Sequence, residues 1–593
     1  MGPTARWRHL LVLVLVAITG VGIFLTGLGQ TGVVDETPAL FAASARQMAE
    51  SGDWLIPRVN GLPRYDKPPL IYWLMGALYS LSDAHRWDPL GSWAARLPSA
   101  LASVTTMVAL ADTLLRWPQA ANSSGLARGS GRAVPAISAA LAFALGPLML
   151  IWGRTEVSDA LFTATLAISL LLAWRSYAAQ RGPWWPSWAV LALAVLSKGP
   201  VAPLLFALTL GLFWLLGADG RRLQQRLRPL AGLVLTLMIS APWFALALLR
   251  EGQPYWDSFF GYHNLQRFNR VVNNHQQAPW YFFAVLLVAS LPYTPLLLLS
   301  LRRFLIQARS PLAVPLSLGR FATAWLLAVL LFFSLSATKL PSYWLVATPA
   351  SALLIALAAS DCRRQSLTRA EHARSQRGLR WAMTTSTVLL VVISTALAMA
   401  PRWLPLAAGV FLTGALLLGG LSTQRLAPRL LQSQTALLLV VPLVLLPIWQ
   451  MGDQLRGAPL RELAAIAQGQ RSPSEALAMV GLMKPSLHFY SQSTVLFEGR
   501  SPNALVNLAD RLRADSRPGL QPGPAELKPT LLLVIDSETA RQPHWRGWEG
   551  EVLAQASPYQ LWRLNRLWLE TRAEKLQSEG RTPNWRAPRP ERF

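Results

Sequence analysis

A series of long apolar runs constrains the fold of this chain more than any other feature of its sequence. A helix needs about 20 mostly apolar residues to cross the hydrocarbon core of a bilayer. Such runs recur along the chain, in which 52% of all residues are hydrophobic and only 14% are charged. A water-soluble fold would expose too much of this apolar surface. The sequence therefore predicts an all-α polytopic membrane protein with about thirteen spans.

The predicted spans are defined by hydropathy alone. They cover roughly residues 8–28, 93–115, 134–152, 157–176, 184–197, 200–217, 229–249, 280–301, 320–336, 341–360, 380–400, 403–422 and 434–450. The stretch over 184–217 is nearly continuous, and we divide it into two short spans that turn at Lys198. This division keeps the later basic loops on the cytoplasmic side.

The distribution of positive charge predicts the topology. The chain carries a net charge of +25, and most of the excess Lys and Arg lies in short loops between apolar runs, as over residues 221–228. Cytoplasmic loops of membrane proteins carry such an excess. We therefore expect a multi-pass protein of the plasma (bacterial inner) membrane with a cytoplasmic N-terminus. The same argument makes nucleic acid an unsuitable partner.

This topology divides the chain into three parts. Residues 1–450 form the transmembrane domain, with a first extracytoplasmic loop over 29–90 and a second over 250–279. Residues 451–571 mix helix and strand patterns, which predicts a small α/β extracytoplasmic domain. The tail over 572–593 is rich in Arg, Pro and Glu, which is typical of disordered segments.

Within the C-terminal region, the pattern predicts individual elements. Helices are expected over 460–467 and 502–513, and a further helix over 474–480. Strands are expected over 494–497 and 530–535.

The polar passage after the first apolar run carries the first candidate residues. Asp35 and Glu36 follow that run directly, so their carboxylates would lie at the water edge of the membrane. Pro38 predicts the start of a surface helix, and Gly52 predicts its end. Asp35 is therefore either a reactive group facing a lipid-borne substrate or a helix-terminus carboxylate with a purely structural role.

Three lysines fall on the predicted outer side, where basic residues are usually depleted: Lys67, Lys198 and Lys339. Their positions indicate an anionic ligand, most simply a phosphate. Asp159 lies inside a predicted span, where a charge is expensive and is usually functional or paired. An ion pair of Asp159 with Lys67 or Lys198 is the structural alternative.

The second extracytoplasmic loop adds His263 and Arg267, which would share one face of a helix. The aromatic residues around them are typical of an interface belt, and an arginine there suits a phosphate at headgroup level. His263 and Asp66 are also suitable ligands for a divalent metal, zinc or magnesium. The single cysteine of the chain excludes a cysteine metal cluster.

Several separated segments, in this order, resemble those of one enzyme family. They are Asp35-Glu36, GDWLIPR at 52–58, Asn60-Gly61, DKPPLIYW at 66–73, SKGP at 197–200, HNLQRF at 263–268 and KLPSYW at 339–344. The family comprises the polyprenyl-phosphate-sugar-dependent glycosyltransferases typified by 4-amino-4-deoxy-L-arabinose lipid A transferase. These enzymes are relatives of the protein O-mannosyltransferases in the GT-C class.

The resemblance implies roles for the candidate residues. Asp35 corresponds to the general base and Asp159 to a second active-site carboxylate. The groups that hold the lipid phosphate correspond to Lys67, Arg267 and Tyr343, with further contacts expected from Glu36, Arg58, Lys198 and Lys339. A metal pair corresponds to Asp66 and His263, although the family usually has Glu in place of Asp66.

The reaction implied is an inverting displacement at the anomeric carbon. The donor would be a polyprenyl-phosphate sugar, and the acceptor a membrane lipid such as lipid A, a glycan or a protein. The alternative is a transporter or flippase that moves a lipid-linked sugar without chemistry. Transporters usually place charges at the midplane of two related halves, whereas here no repeat is evident and the candidate residues gather towards one interface.

Overall fold

The computed structural model describes residues 3–117, 132–179, 182–271, 276–307, 318–361, 369–399, 403–419, 426–472, 475–514 and 529–585. Its contacts divide the chain into two compact units. The first unit comprises Met1–Leu28, Tyr65–Leu74 and Arg96–Ile448, and the second comprises Gly29–Arg64, Met75–Ala95 and Trp449–Phe593. The loop over 29–90, which the sequence assigns to the transmembrane domain, thus clusters largely with the C-terminal residues.

The elements follow one another along the described chain. The α-helices are α1 (Pro3–Phe24), α2 (Thr37–Ser51), α3 (Leu70–Tyr79), α4 (Ala84–Trp87), α5 (Ser92–Arg116), α6 (Ala133–Ala144), α7 (Pro147–Trp152), α8 (Ser158–Ala178), α9 (Trp185–Lys198), α10 (Val201–Leu215), α11 (Gly220–Leu227), α12 (Pro229–Glu251), α13 (Gln253–Tyr255), α14 (Arg267–Asn269), α15 (Tyr281–Ala289), α16 (Thr294–Gln307), α17 (Leu318–Leu335), α18 (Thr348–Asp361), α19 (Arg369–Ala398), α20 (Leu404–Gly419), α21 (Leu426–Leu438), α22 (Leu446–Gly452), α23 (Ala458–Gln470), α24 (Ser486–Ser491), α25 (Asn503–Ala514), α26 (Ser537–Ala540) and α27 (Arg566–Ser578).

The remaining regular segments are strands and other helical forms. The strands are β1 (Arg58–Val59), β2 (Leu62–Pro63), β3 (Leu477–Val480), β4 (Val495–Glu498), β5 (Thr530–Asp536), β6 (Gly550–Ala556) and β7 (Tyr559–Asn565). Segments with π-helical geometry are Trp256–Gln266, Val441–Leu445 and Asp453–Gly457, and 3-10 helices are Pro341–Ala347 and Pro543–Trp545.

The apolar helices confirm the membrane-protein fold. Among the described residues, eight helices are long and apolar enough to cross a membrane, or up to nine if one bent pair counts as a single span. That pair, Tyr281–Ala289 and Thr294–Ile306, is bent by 117°. Shorter apolar helices, such as α6 and α10, occupy other predicted runs. Each predicted run contains a helix, and the number of thirteen spans stays a prediction.

Buried arginines hold the end of α1 in the first unit. Arg154 donates hydrogen bonds to the carbonyl oxygens of Ile23 (2.6 Å) and Thr26 (2.5 Å). Arg96 donates to the carbonyl of Leu28 (2.8 Å) and pairs with the buried Glu156 at 2.7 Å. The last carbonyls of a helix have no partner within it, so these cations satisfy groups that would otherwise be stranded.

The C-terminal part of the second unit is built on a five-stranded sheet with the order β4-β3-β5-β7-β6. Strands β4, β3 and β5 are parallel, whereas β7 runs antiparallel to both β5 and β6. Alternate residues of β5 enter two different apolar clusters, one with α25 and α27 and the other with α23 and α24. The sheet is therefore covered by helices on both faces, which confirms the predicted α/β domain.

Two expectations for this domain are corrected. Residues 477–480 of the predicted helix over 474–480 form strand β3, because a short apolar run buried on both faces has no helical or strand periodicity. The predicted disordered tail is ordered up to residue 585, since α27 buries Leu569, Ala573 and Leu576 in the core. Beyond α27, the indole of Trp585 donates to Asp510 at 2.6 Å. Residues 586–593 of that tail lie outside the described residues.

Asn60 explains why the first loop clusters with the C-terminal residues. This buried residue, at φ 55°, donates its side-chain amide to the carbonyl of Val495 and accepts from the Val495 N–H, both at 2.8 Å. Its backbone N–H donates to the imidazole of His488 at 3.0 Å. The side chain of Asn60 thus joins the loop to the backbone of β4. Helix α2, before it, ends at Gly52 as predicted, with φ 71°.

Candidate active site

The ends of two packed helices bring Asp159 and Lys198 together in the first unit. Asp159 lies in the first turn of α8 and Lys198 in the last turn of α9, positions that suit the helix dipoles. The Lys198 ammonium donates to the Asp159 carboxylate at 2.7 Å. The ion pair that the sequence offers as the structural alternative is thus present.

Gly199 makes the turn after α9 possible. It has φ 83°, and a Cβ there would lie 2.8 Å from the ring of Phe259. Phe259 belongs to the segment over 250–279, so the absence of a side chain at Gly199 lets that segment pack against the end of α9. The two short helices predicted on either side of Lys198 are both confirmed.

Lys67 lies among several charged groups of the same unit. Its ammonium donates to the backbone carbonyl of Asp66 at 2.8 Å and lies 3.9 Å from the Asp66 carboxylate. The pKa of Lys67 is lowered to about 8, mainly by burial and also by the charges of Arg267 and Lys198, while Asp66 and Asp159 act in the opposite direction. The charges of two further cations, Arg267 and Lys198, therefore act on Lys67, an arrangement that an anionic ligand would stabilise.

Arg267 is held by the segment that precedes Tyr343. The backbone N–H of Thr338 donates to the carbonyl of Arg267 (3.3 Å), and the Thr338 hydroxyl donates to that of Arg270 (2.9 Å). Ala337 donates to the carbonyl of Phe268 at 2.8 Å. These bonds join the segment over 250–279 to the short loop over 337–343. Arg267 directly follows a π-helical segment, a form that frequently occurs at functional sites.

Tyr343 lies in the 3-10 helix Pro341–Ala347. Its ring stacks on Phe333 at 4.9 Å between centroids, and the Lys198 ammonium lies 5.7 Å from its centroid. Lys339 is buried and donates to the carbonyl of Ser336 at 2.6 Å. This lysine therefore stabilises the loop in front of Tyr343.

Asp35 belongs to the second unit, where Ser486 holds it. The Ser486 backbone N–H donates to one carboxylate oxygen at 2.9 Å and the Ser486 hydroxyl to the other at 2.5 Å. The neighbouring Glu36 pairs with Lys484 at 2.9 Å. Burial raises the pKa of Asp35 to about 6, although the bonds from Ser486 and the charge of Lys484 oppose this.

Asp35 does not cap helix α2, so it is not the simple helix cap of the structural alternative. Residue Glu36 occupies the N-cap position of α2, without a side-chain capping bond, and the Asp35 carboxylate bonds Ser486 instead. Arg58 also lies in the second unit, in β1, with its Nε 3.9 Å from the Asp53 carboxylate.

The proposed metal pair can be tested against its surroundings. The Asp66 carboxylate accepts a hydrogen bond from the Tyr72 hydroxyl at 3.0 Å and faces Lys67. Across the described residues, no group of three or more His, Cys, Asp or Glu side chains is arranged to hold a metal. A catalytic zinc needs about three protein ligands, so Asp66 and His263 do not make a zinc site by themselves.

Sequence reasoning missed the residues that hold Asp35. Lys484 and Ser486 follow strand β3, beyond the carboxyl end of a parallel strand, where open α/β sheets place their ligands. That rule offers a signal only once β3 is recognised as a strand. The buried pair of Arg96 with Glu156 was also missed, because neither residue belongs to a recognisable motif.

Two family models match the chain. The one described as dolichyl-phosphate-mannose-protein mannosyltransferase matches residues 66–245, which include Lys67, Asp159 and Lys198. The one described as the C-terminal domain of cyanobacterial RgtA-type glycosyltransferase matches residues 470–580.

Curated relatives align over part of their length. The chain is 28% identical over 340 residues to the undecaprenyl phosphate-alpha-4-amino-4-deoxy-L-arabinose arabinosyl transferase of Serratia proteamaculans, covering 55% of each chain. It is 30% identical over 351 residues to the enzyme of the same name from Pseudomonas paraeruginosa, covering 56% of each. The match thus spans a little over half the length of these relatives.

A solved structure is similar over almost the whole chain. The crystal structure of ArnT from Cupriavidus metallidurans bound to undecaprenyl phosphate has a TM-score of 0.71, with 21% identity, 93% of this chain covered and 97% of ArnT covered. The chain therefore has the fold of the GT-C class of membrane glycosyltransferases. Within that class, the predicted resemblance to the aminoarabinose transferases is confirmed.

Proposed function

We propose that this chain is an integral membrane glycosyltransferase that moves a sugar from a polyprenyl-phosphate carrier to an acceptor on the extracytoplasmic face. The observation that supports this most is the group of cations in the first unit, where the charges of Lys198 and Arg267 act on Lys67 and the Lys198 ammonium lies 5.7 Å from the centroid of the Tyr343 ring. Such a group is stabilised by an anion, and the similar ArnT structure has undecaprenyl phosphate bound. The match to glycosyltransferase family models supports the same class of reaction.

The cations have a direct role in the proposed reaction. As the bond between the anomeric carbon and the phosphate oxygen breaks, negative charge grows on the leaving polyprenyl phosphate. Lys67 and Arg267 neutralise that charge in surroundings of reduced dielectric, where their effect is larger than in water. The Tyr343 hydroxyl donates a further hydrogen bond to the phosphate.

Asp35 is proposed as the general base. It accepts the proton of the acceptor hydroxyl while the acceptor oxygen bonds to the anomeric carbon from the face opposite the phosphate, so the sugar is inverted. Polyprenyl phosphate leaves as an anion, and the proton of the acceptor hydroxyl remains on Asp35. Asp159, with its partner Lys198, is the second carboxylate, and no step requires a metal.

The topology and acceptor belong to the proposal as well. The N-terminus lies in the cytoplasm, residues 451–571 lie on the periplasmic side of a bacterial inner membrane, and the acceptor is a lipid such as lipid A, a glycan or a protein. Glu36, Arg58 and Lys339 are expected near the substrates rather than on the reacting atoms.

Binding of a short-chain polyprenyl phosphate tests the phosphate site. Lys67→Ala and Arg267→Ala should each weaken binding by roughly 1.5–3 kcal/mol, the value of a charge-assisted contact, and Tyr343→Phe by less. The control is Arg374→Ala, which removes an exposed arginine of α19. Unchanged affinity in both charge variants would exclude this phosphate site.

A further inference from the structure

In the second unit, Asp35 is bound by a segment that follows strand β3 at the carboxyl end of the C-terminal sheet. Strand β3 ends at Val480, and the next residue, Gly481, has φ 106° and leaves no room for a Cβ beside the Asp536 carboxylate. That carboxylate, at the end of β5, accepts from the N–H of Leu482 at 3.0 Å. The segment leading to Ser486 is thereby anchored to two parallel strands.

Two residues of this segment reach the start of α2. Ser486, 1% exposed, donates to both carboxylate oxygens of Asp35 through its N–H and its hydroxyl. Two residues earlier, Lys484 pairs with Glu36 at 2.9 Å. Each carboxylate oxygen has a second lone pair, so Asp35 can hold these bonds and still accept a proton.

We propose that Ser486 is a positioning residue for Asp35, so that the C-terminal domain takes part in the catalytic step. The proposal rests on the proposed role of Asp35 as general base. Ser486 itself touches no reacting atom. It fixes the orientation of the carboxylate and favours its ionised form.

Ser486 favours the ionised form of Asp35 because of the charges and burial around that carboxylate. Burial disfavours the charged carboxylate, and Glu36, on the same segment, adds to that. The opposing groups come from the C-terminal domain, namely the hydrogen bonds of Ser486 and the charge of Lys484. Tyr559, at the start of β7, also lies within the field of Asp35, and its phenol stays neutral because burial raises its pKa to about 12. Without the Ser486 hydroxyl, more of the Asp35 population would be protonated near neutral pH.

Infrared difference spectroscopy tests the proposal on the purified full chain without any substrate. Asp35→Asn identifies the Asp35 carboxylic acid band, and its titration is then followed in the parent, Ser486→Ala and Ser486→Thr. The midpoint should rise by about 1 pH unit in Ser486→Ala, because one hydrogen bond to a charged group is lost. It should stay near the parent value in Ser486→Thr. Ser501→Ala, at an exposed serine of the same domain, is the control.

Kinetics provide the second readout, with undecaprenyl phosphate-α-4-amino-4-deoxy-L-arabinose as donor and lipid A as acceptor. At pH 5, Ser486→Ala should lower kcat by about tenfold, because the ionised fraction of Asp35 falls by about that factor, and it should leave the donor KM unchanged, since the proposed phosphate contacts are untouched. An unchanged midpoint in a folded Ser486→Ala chain would overturn the proposal. Absence of transfer by the parent would instead count against this donor and acceptor as the substrates of the proposed reaction, while the infrared titration still decides the role of Ser486.

Discussion

The ammonium nitrogen of Lys198 lies 2.7 Å from a carboxylate oxygen of Asp159, where the end of α9 meets the start of α8. Because the Asp159 carboxylate neutralises the charge of Lys198, the variant Asp159→Asn has one more net positive charge near Lys67, Lys198 and Arg267. We expect this variant to bind a short-chain polyprenyl phosphate at least as tightly as the parent, and yet to transfer sugar more slowly. Calorimetric binding and a transfer assay on the same preparation check both halves.

The control for this prediction is Asp83→Asn, which neutralises a carboxylate that is 58% exposed. This control should change neither the affinity for a short-chain polyprenyl phosphate nor the rate of sugar transfer. Weaker phosphate binding by Asp159→Asn would contradict the role of Asp159 as a counter-ion of the cation group.

The raised pKa of Asp35 predicts the pH dependence of transfer. A general base acts in its ionised form, and with a pKa of about 6 the ionised fraction grows from about one tenth at pH 5 to about nine tenths at pH 7. The rate should therefore rise about fivefold between pH 5 and pH 6, about ninefold in all by pH 7, and level off above that. The measurement is kcat between pH 5 and 7.5, with donor binding recorded at each pH. A flat profile over this interval would argue against Asp35 as the base.

The buried pair of Arg96 and Glu156 predicts a large effect on stability. The two side chains are only 2% and 0% exposed, and removal of one partner strands the other charge. Glu156→Gln should therefore destabilise the chain by roughly 3–5 kcal/mol, seen as a lower melting temperature in detergent. Arg513→Ala, which breaks an exposed pair with Glu574, should cost at most about 1 kcal/mol. Equal melting temperatures for the two variants would contradict the structural role of the pair.

The metal pair proposed from the resemblance has a separate test. If Asp66 and His263 hold an ion such as magnesium, which takes its remaining ligands from water and phosphate, His263→Ala should lower the metal content of the purified chain. His85→Ala, in the short helix α4, is the matched control. Elemental analysis that finds the same content in both variants and the parent would exclude the pair as a metal site.

The features that the sequence predicts correctly are local ones. The ends of α2 follow from Pro38 and Gly52, and the turn after α9 follows from the Lys198-Gly199-Pro200 sequence, because these residues restrict the backbone where they stand. The apolar spans are equally local, since each depends on its own composition. The convergence of Lys67, Lys198 and Arg267 was predictable only through the resemblance to a known family.

The contacts that the sequence does not predict join distant parts of the chain. Asp35 and Ser486 are 451 residues apart, and neither periodicity nor spacing links them. The pairing of Asn60 with Val495 in β4, over 435 residues, is of the same kind. Such contacts depend on which strand lies at the edge of the sheet and which loops lie at its carboxyl end. Both are known only when the strand order is known.

The central claim is that this chain catalyses sugar transfer and does not merely move a lipid-linked sugar across the membrane. The most direct measurement is mass spectrometry of envelope lipids and glycans from a deletion strain complemented with either the parent chain or Asp35→Asn at equal abundance. We predict a sugar-bearing product with the parent and its loss with the variant, reflecting a rate about 10²–10⁴-fold lower, while donor binding persists. Full product from Asp35→Asn, or lipid-linked sugar movement by the parent without any glycosylated product, would contradict the account.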